Sequence, residues 1–328
     1  MDALLRSAAE SWGVTQHLTA TMFDSVLSPA LRMVRAGPSG GGVWDKSHLP
    51  SSTVAQDPIV DVLVYLELTL ASLVLLVLFR HTVAQPLGRL VLPGSPTDAA
   101  VRKFGDPCVE CANYATFTVI GTSIVFTSGW AWPSSSWWEG EGDAAATLMR
   151  DDLRCWYILD ASRYSAALIS LLFLEHRRKD FAEMFVHHIA TILVTLVSYS
   201  LGFTRLGAMV KLVMDPADVP LHTAKMFLYI SGEDTKSWAY FIADRIFEVF
   251  AVTFFVTRLI CYGYVVYVAA ECPWNACTPY FAGGASPAAW TCVGLLVVLL
   301  GLQIFWMSML LKMVIKKLRG ERLNPSAL

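Results

Sequence analysis

The chain is poor in charge and in cysteine. Of its 328 residues only 16% are charged, whereas an ordinary soluble domain carries about 25%. A net charge of -2 and the lack of a basic patch indicate no nucleic-acid partner. Seven cysteines in a chain of this length do not make a disulfide scaffold. The N-terminus lacks a charged start followed by a compact apolar run, so we expect no cleaved signal peptide.

Apolar sequence, in contrast, is abundant. Hydrophobic residues make up 55% of the chain and the mean hydropathy is +0.50, which is typical of a polytopic membrane protein. We therefore predict an all-α polytopic membrane protein with about seven transmembrane helices. The apolar runs place the spans near 59–79, 112–132, 153–174, 181–203, a fifth ending near Tyr229, 238–268 and 289–315.

Basic residues predict how these spans are oriented. They follow the first, third and seventh spans, as Arg80, Arg89, Arg102, Lys103, Arg177, Arg178, Lys179, Lys312, Lys316, Lys317, Arg319 and Arg322. The alternate loops at 133–152 and 271–288 hold almost none. Because positive loops stay in the cytosol, we expect a cytosolic C-terminus and an N-terminus on the opposite side.

Two polar stripes interrupt the fourth and fifth spans. In the fourth, a step of 3.6 residues aligns a histidine with three hydroxyl residues, His188, Thr191, Thr195 and Tyr199. In the fifth, which we predict as one unbroken helix, the stripe comprises Lys211, Asp215, Asp218, His222, Lys225 and Tyr229. Ionisable groups also occur inside other spans, as Asp61, Glu67, Asp160, Arg163, Asp244, Arg245, Glu248 and Arg258. Such groups are costly in hydrocarbon, so they should face protein or a wet cavity, and we interpret the stripes as a buried active site.

Three kinds of chemistry suit histidine beside aspartate. A metal site is disfavoured because the adjacent His187 and His188 point about 100° apart on a helix. Buried ion pairs that fix helix register are a second reading, since Lys211–Asp215 and Asp218–His222 have intrahelical spacing. The third is acid–base or nucleophilic catalysis on a lipid, in which a carboxylate orients a histidine.

The same region resembles a known family. The runs RKDFAEMFVHHIATILVTLVSYSLGFTRLG and MDPADVPLHTAKMFLY are similar to the signature of the ceramide synthases, TLC-domain enzymes that acylate a sphingoid base with acyl-CoA. The resemblance extends over about Trp156–Lys316 and includes TFFVTRLICY and LQIFWMSMLLKMV.

The family's functional residues carry over onto this sequence. The resemblance assigns catalysis to His187 and His188 together with Asp215 and Asp218, and substrate contact to Lys225, with Tyr229 beside it. The family usually has His-Asp where this chain has Met214-Asp215, so one proton carrier or substrate contact is missing.

The apolar runs and the charge pattern, together with the resemblance over the TLC domain, predict an organisation for the chain. A loosely ordered, non-cytosolic segment 1–58 and a first membrane helix 59–80 precede a cytosolic linker 81–111. A six-helix TLC-domain bundle 112–316 then encloses a cavity, and a cytosolic tail 317–328 follows. We expect an amphipathic helix near 18–34 within the first segment.

Function follows as an expectation from the resemblance. The chain should be an acyl-CoA-dependent sphingosine or sphinganine N-acyltransferase of the endoplasmic reticulum membrane, with acyl-CoA as co-substrate and no further cofactor. Membrane lipids are its surroundings, and a homodimer is compatible with the family. A non-enzymatic TLC-domain protein that binds or senses lipid is the alternative, as is an acyltransferase with another amine acceptor.

Two further features concern the ends of the bundle. Basic residues near the predicted cytosolic mouth, Arg177, Arg178, Lys179 and Lys236, are candidate contacts for the phosphates of CoA, or plain membrane anchors. Cys272 and Cys277 lie in the loop predicted on the oxidising side, where they could close a small disulfide loop.

Overall fold

All regular secondary structure in the part of the chain that the structure describes is helical, and most of it is α-helix. The computed structural model describes residues 58–138, 151–174, 180–232, 234–275 and 287–322. The segment 1–57, with its expected amphipathic helix, lies outside them. The α-helices are α1 Pro58–Phe79, α2 Gln85–Val91, α3 Asp98–Ser128, α4 Asp151–Phe173, α5 Phe181–Ser200, α6 Thr204–Met214, α7 Asp218–Ser231, α8 Trp238–Phe254, α9 Tyr262–Asn275 and α10 Pro287–Leu318.

Length and composition of the helices confirm a polytopic membrane protein. Five described helical stretches are long and apolar enough to cross a bilayer, namely Asp61–Val91, Asp98–Ser128, Phe181–Ser200, Trp238–Asn275 and Pro287–Leu318. The predicted third span forms α4, which carries several charges. The predicted fifth span is divided into two shorter helices. The total of seven spans stays a prediction.

The segment predicted as a linker is mostly helical. The first helix continues through the π-helical turn Arg80–Ala84 and α2 to Val91, and α3 begins at Asp98. Three prolines in this segment, Pro86, Pro93 and Pro96, predict that the helix does not continue through it, and the helix does end between Val91 and Asp98. Pro86 itself, however, does not interrupt the helical stretch. It lies in the first turn of α2 directly after the π turn, and the wider turn accommodates a residue that donates no backbone hydrogen bond.

The single fifth helix predicted from the polar stripe is also wrong. Helix α6 ends at Met214, the turn Asp215–Ala217 is a 3-10 helix, and α7 begins at Asp218. Pro216 lies within this turn and lacks the N–H that would continue the α-helical ladder. The polar residues therefore lie on two helices and a tight turn.

The sixth span is longer than its sequence pattern predicts. Helices α8 and α9 are joined by the π-helical turn Phe255–Cys261, so helical structure extends from Trp238 to Asn275. The predicted loop 271–288 is thus helical at its start, with Pro273 inside the helix. Its residues 276–286 lie outside the described residues.

The described residues group into two compact units. Of the described residues, the first unit comprises 58–73, 119–138, 151–174, 180–212, 265–275 and 287–296, and the second comprises 74–118, 213–232, 234–264 and 297–322.

Helices α4 and α5 pack together in the first unit. Tyr157 of α4 lies against α5, with 3.3 Å between its hydroxyl and that of Ser198, and both Tyr157 and the neighbouring Trp156 are fully buried. The ring of Trp156 lies against Gly121 of α3. This arrangement places the inward face of α4 against the helix that carries the histidine pair.

Helices α7 and α8 pack along one another in the second unit. The core there consists of Ala217, Leu228, Ala243, Phe247, Phe250, Phe254 and Leu310. Ser237 starts α8, and its hydroxyl accepts a hydrogen bond from the backbone N–H of Tyr240 at 3.2 Å. Ala217 belongs to this core, so the 3-10 turn is held by packing on one side.

Candidate active site

The histidine pair is buried on α5. His187 and His188 are 7% and 6% exposed, and their ring centroids are 5.7 Å apart. Tyr164 of α4 meets both rings edge-on, with centroid distances of 6.0 Å to His187 and 5.8 Å to His188. The two adjacent residues thus meet the same tyrosine, although they leave the helix in different directions.

One face of α5 retains unused hydrogen-bonding capacity. The Nδ1 atom of His188 and the Oγ1 atom of Thr191 are buried, and neither has a hydrogen-bond partner within the described ranges. Buried polar atoms are nearly always hydrogen-bonded, so such atoms point to a ligand or to water. An imidazole nitrogen can donate or accept according to its tautomer.

A buried charge cluster lies on α4 beside the histidine pair. Asp160 accepts from Arg163, with 2.6 Å between Arg163 Nη2 and Asp160 Oδ1, and it also pairs with Lys211 of α6. The Lys211 ammonium lies 3.4 Å from the hydroxyl of Thr195 and 4.7 Å from the ring centroid of Tyr157. One carboxylate therefore receives two cations in a buried environment.

The charge cluster reaches the histidines through one aromatic ring. The guanidinium carbon of Arg163 lies 4.5 Å from the ring centroid of Tyr164, and Tyr164 contacts both His187 and His188. A cation over the face of a ring is attracted to its negative side. Arg163 therefore helps to fix the ring that flanks the histidine pair.

The far end of the α5 stripe belongs to a second charge cluster. Tyr199 donates to Asp61 of α1 over 2.5 Å, and Asp61 also forms an ion pair with Arg154 of α4. In the same unit Tyr65 of α1 shares a hydrogen bond of 2.5 Å with Ser165 of α4. The predicted stripe on α5 is polar along its length, but its two ends contact different partners.

The two aspartates of the signature lie in the second unit. Asp215 is 3% exposed within the 3-10 turn. Asp218 begins α7 and forms an ion pair with Arg258 of the π-helical turn. Lys211 and Asp218 thus have partners from other helices, Asp160 and Arg258, which helical spacing within the stripe did not predict.

The other residues that the sequence singled out, including the predicted substrate contacts, lie in different surroundings. His222 stacks on Tyr114 with ring centroids 5.6 Å apart. Tyr229 packs against the apolar cluster around Phe104, Lys225 is half-buried and Lys236 is exposed. Arg177, Arg178 and Lys179 lie outside the described residues.

The predicted disulfide involves Cys272 and Cys277. Cys272 is disulfide-bonded, and Cys277, its predicted partner, lies outside the described residues.

The sequence indicated Asp61, Asp160, Arg163 and Arg258 as ionisable residues inside apolar spans, but they were not assigned to the site. The buried side chains of Arg154 and Tyr164 join them in the structure, and all six are buried. Their signal was present, because an ionisable residue in an apolar helix is by default a candidate functional residue. What the sequence lacked was the identity of each partner.

Comparison with known proteins relates the sequence to a family. Residues 103–312 match the model of the TLC domain. The chain is 32% identical over 159 residues to ceramide synthase 4 of Bos taurus, covering 48% of this chain and 38% of that protein. It is also 32% identical over 214 residues to ceramide synthase 4 of Mus musculus, covering 65% and 50%.

A plant relative is matched over a larger share of its length. The chain is 28% identical over 233 residues to ceramide synthase LOH1 of Arabidopsis thaliana, covering 67% of this chain and 70% of that protein. The chain spans half or less of the two mammalian relatives. Since the family model matches well over half of the sequence, the chain belongs to the TLC-domain family.

Proposed function

We propose that the protein is a ceramide synthase, which transfers a fatty acyl group from acyl-CoA to the amine of a sphingoid base. The observation that carries this proposal is the adjacent, buried pair His187 and His188 on an apolar helix long enough to span a membrane. Relatives named ceramide synthase support the choice of reaction. A protein that only binds lipid has no need of two buried histidines beside a charged cluster.

The reaction needs a group that accepts a proton within the membrane. The amine nitrogen attacks the thioester carbon, a C–N bond forms, the C–S bond breaks, and one proton must leave the nitrogen. A neutral imidazole can take that proton and return it to the departing thiolate of CoA. The Nδ1 atom of His188, buried and without a hydrogen-bond partner in the described ranges, suits this exchange.

A second route uses a histidine as nucleophile. An imidazole nitrogen attacks the thioester, CoA leaves, and the acyl group is then passed from the ring to the amine. Bulky CoA thus departs before the second lipid enters. Because an acyl-imidazole reacts with water, the burial of both rings favours this route as well.

The other assignments rest on the resemblance for Asp215, Asp218 and Lys225, and on the polar stripe and the positive charge near the predicted cytosolic mouth for the rest. Asp215 and Asp218 orient and stabilise charge at the site, and Lys225 and Tyr229 line its entrance. Arg177, Arg178, Lys179 and Lys236 contact the phosphates of acyl-CoA on the cytosolic side of the endoplasmic reticulum membrane. Met214 replaces the family's usual histidine, so proton transfer here depends on the pair of α5.

The experiment uses purified full-length protein in detergent or nanodiscs. It is incubated with sphinganine and a panel of acyl-CoAs, and N-acylated product is measured by mass spectrometry. A variant lacking both histidines, His187→Ala with His188→Ala, is compared with His81→Ala, a matched change at an exposed histidine. Product with wild type and His81→Ala, but not with the double variant, supports the proposal. No product with any acyl-CoA would favour the lipid-binding alternative.

A further inference from the structure

We propose that Arg258 is the positioning residue for the signature turn, and that Asp218 acts through Arg258 rather than on the substrate. The signature turn is Asp215–Ala217, the 3-10 turn between α6 and α7. Arg258 Nη2 donates to the backbone carbonyl of Met214 at 2.7 Å and pairs with the carboxylate of Asp218. One guanidinium therefore contacts the residues on both sides of the turn.

The backbone hydrogen bonds of the turn differ from those of an α-helix at the carbonyl that Arg258 contacts. In a continuous α-helix the Met214 carbonyl would accept from the N–H of Asp218. Here the N–H of Asp218 donates to the carbonyl of Asp215 instead, as the tighter 3-10 turn requires. The Met214 carbonyl therefore does not receive the N–H of Asp218, and Arg258 donates to it from the π-helical turn.

Arg258 is itself fixed by its surroundings. Its Nη1 donates to Oε1 of Gln303 on α10 at 3.1 Å, and Gln303 is 0% exposed. The guanidinium carbon lies 5.3 Å from the ring centroid of Phe254. A planar guanidinium with several donors can hold these partners together, whereas a lysine ammonium is a single point charge.

The backbone that presents Arg258 is specialised as well. The residue lies in the middle of the π-helical turn Phe255–Cys261, between α8 and α9. Single π turns inside helices often occur at functional sites, because the extra residue redirects the side chains around it. Two segments here depart from α-helical geometry, the π turn that carries Arg258 and the 3-10 signature turn. Arg258 joins them, because it contacts the residues on both sides of the signature turn.

This division of roles deepens the proposed function and rests on it for its activity readout. Asp215 is the residue of the predicted stripe that lies in the signature turn, and it is buried. Its carboxylate can orient a partner only if the turn keeps its shape. Asp218 contributes by binding Arg258, so the two signature aspartates differ in role.

The test compares three variants of the full-length protein. Arg258→Gln removes the charge, Arg258→Lys keeps it, and Arg154→Gln breaks another buried arginine–aspartate pair as the matched control. Hydrogen–deuterium exchange of the peptide containing residues 214–218 is followed by mass spectrometry, which needs no activity. Turnover and the KM for acyl-CoA are measured in parallel.

We expect faster exchange in the turn for Arg258→Gln and not for Arg154→Gln. Turnover should fall by about 10- to 100-fold with little change in KM, because a displaced catalytic group costs up to about 10²-fold. Arg258→Lys should recover part of both readouts. Wild-type exchange in Arg258→Gln, or a loss of turnover no larger than in Arg154→Gln, overturns the proposal. If wild type makes no product, the proposed function fails while the exchange result still decides whether Arg258 holds the turn.

Discussion

Lys211 of α6 forms a buried ion pair with Asp160 of α4, and the side chain of Asp160 is only 1% exposed. Arg163 binds the same carboxylate from one helical turn further along α4. Lys211 and Arg163 therefore share one carboxylate. The carboxylate also links α6 to the helix whose Tyr164 flanks both histidines.

The first prediction concerns this carboxylate. Asp160→Asn should destabilise the protein more than Lys211→Met does, because the first change leaves two buried cations facing a neutral side chain. Removing one member of a buried pair costs about 3–5 kcal/mol. Lys211→Met should cost less, since Asp160 keeps Arg163. Thermal stability in detergent, followed by loss of the monodisperse chromatographic peak, gives the order. Equal losses in the two variants would contradict it.

The second prediction separates the histidines. His187→Ala and His188→Ala, made singly, should each fold and lose activity by about 10²-fold or more if the residue is the base or nucleophile. Intact-protein mass spectrometry after acyl-CoA alone then distinguishes the routes. An acyl adduct that disappears in one variant supports the covalent route, and its absence during full turnover favours direct transfer. Full activity in both variants would remove the site assignment.

Local chemistry made α5 and its histidine pair predictable. The apolar run from Phe181 is interrupted at helical spacing, and its predicted start coincides with the observed one. Charge inside apolar helices likewise indicated that α1 and α4 face protein. Such inferences use only residues close together in the chain, where periodicity is a reliable guide.

The ion-pair partners between helices, and the points at which helices are interrupted, could not be predicted in the same way. Lys211 has an aspartate four residues further along the chain, Asp215, and it pairs with Asp160 of α4. Spacing alone cannot choose between a local partner and one that packing supplies. Proline was equally ambiguous, since Pro86 lies inside a helical stretch and Pro216 within a 3-10 turn. Pro86 follows a π turn and Pro216 lies in a 3-10 turn. The sequence does not indicate either of these backbone geometries.

The third prediction tests how α1 is attached to α5. Tyr199→Phe removes the hydroxyl that donates to Asp61 at 2.5 Å. A hydrogen bond to a charged group contributes about 1.5–3 kcal/mol, so the variant should unfold at a lower temperature. In an Asp61→Asn background the same change should cost less, because the acceptor is then neutral. A double-mutant cycle measures this coupling, and simple additivity would show that the two side chains act independently.

The fourth prediction uses the close approach of α3 and α4. A Cβ added at Gly121 would lie 2.6 Å from Cζ2 of Trp156, and Trp156 is fully buried. Gly121→Ala should therefore destabilise the protein by about 1–3 kcal/mol through overpacking. Gly294→Ala is the matched control, since a Cβ there meets nothing within 4 Å. Alanine is the better helix former by about 1 kcal/mol, so this variant should be neutral or stabilised.

A second substitution tests the cause of that loss. Combining Gly121→Ala with Trp156→Phe removes the atoms that the new methyl group would meet, because phenylalanine lacks the outer ring of the indole. The double variant should therefore be more stable than the sum of the two single changes predicts. Thermal unfolding of the four proteins in one detergent provides the comparison. If Gly121→Ala is as stable as Gly294→Ala, then α3 and α4 do not pack as closely as the contact between Gly121 and Trp156 indicates.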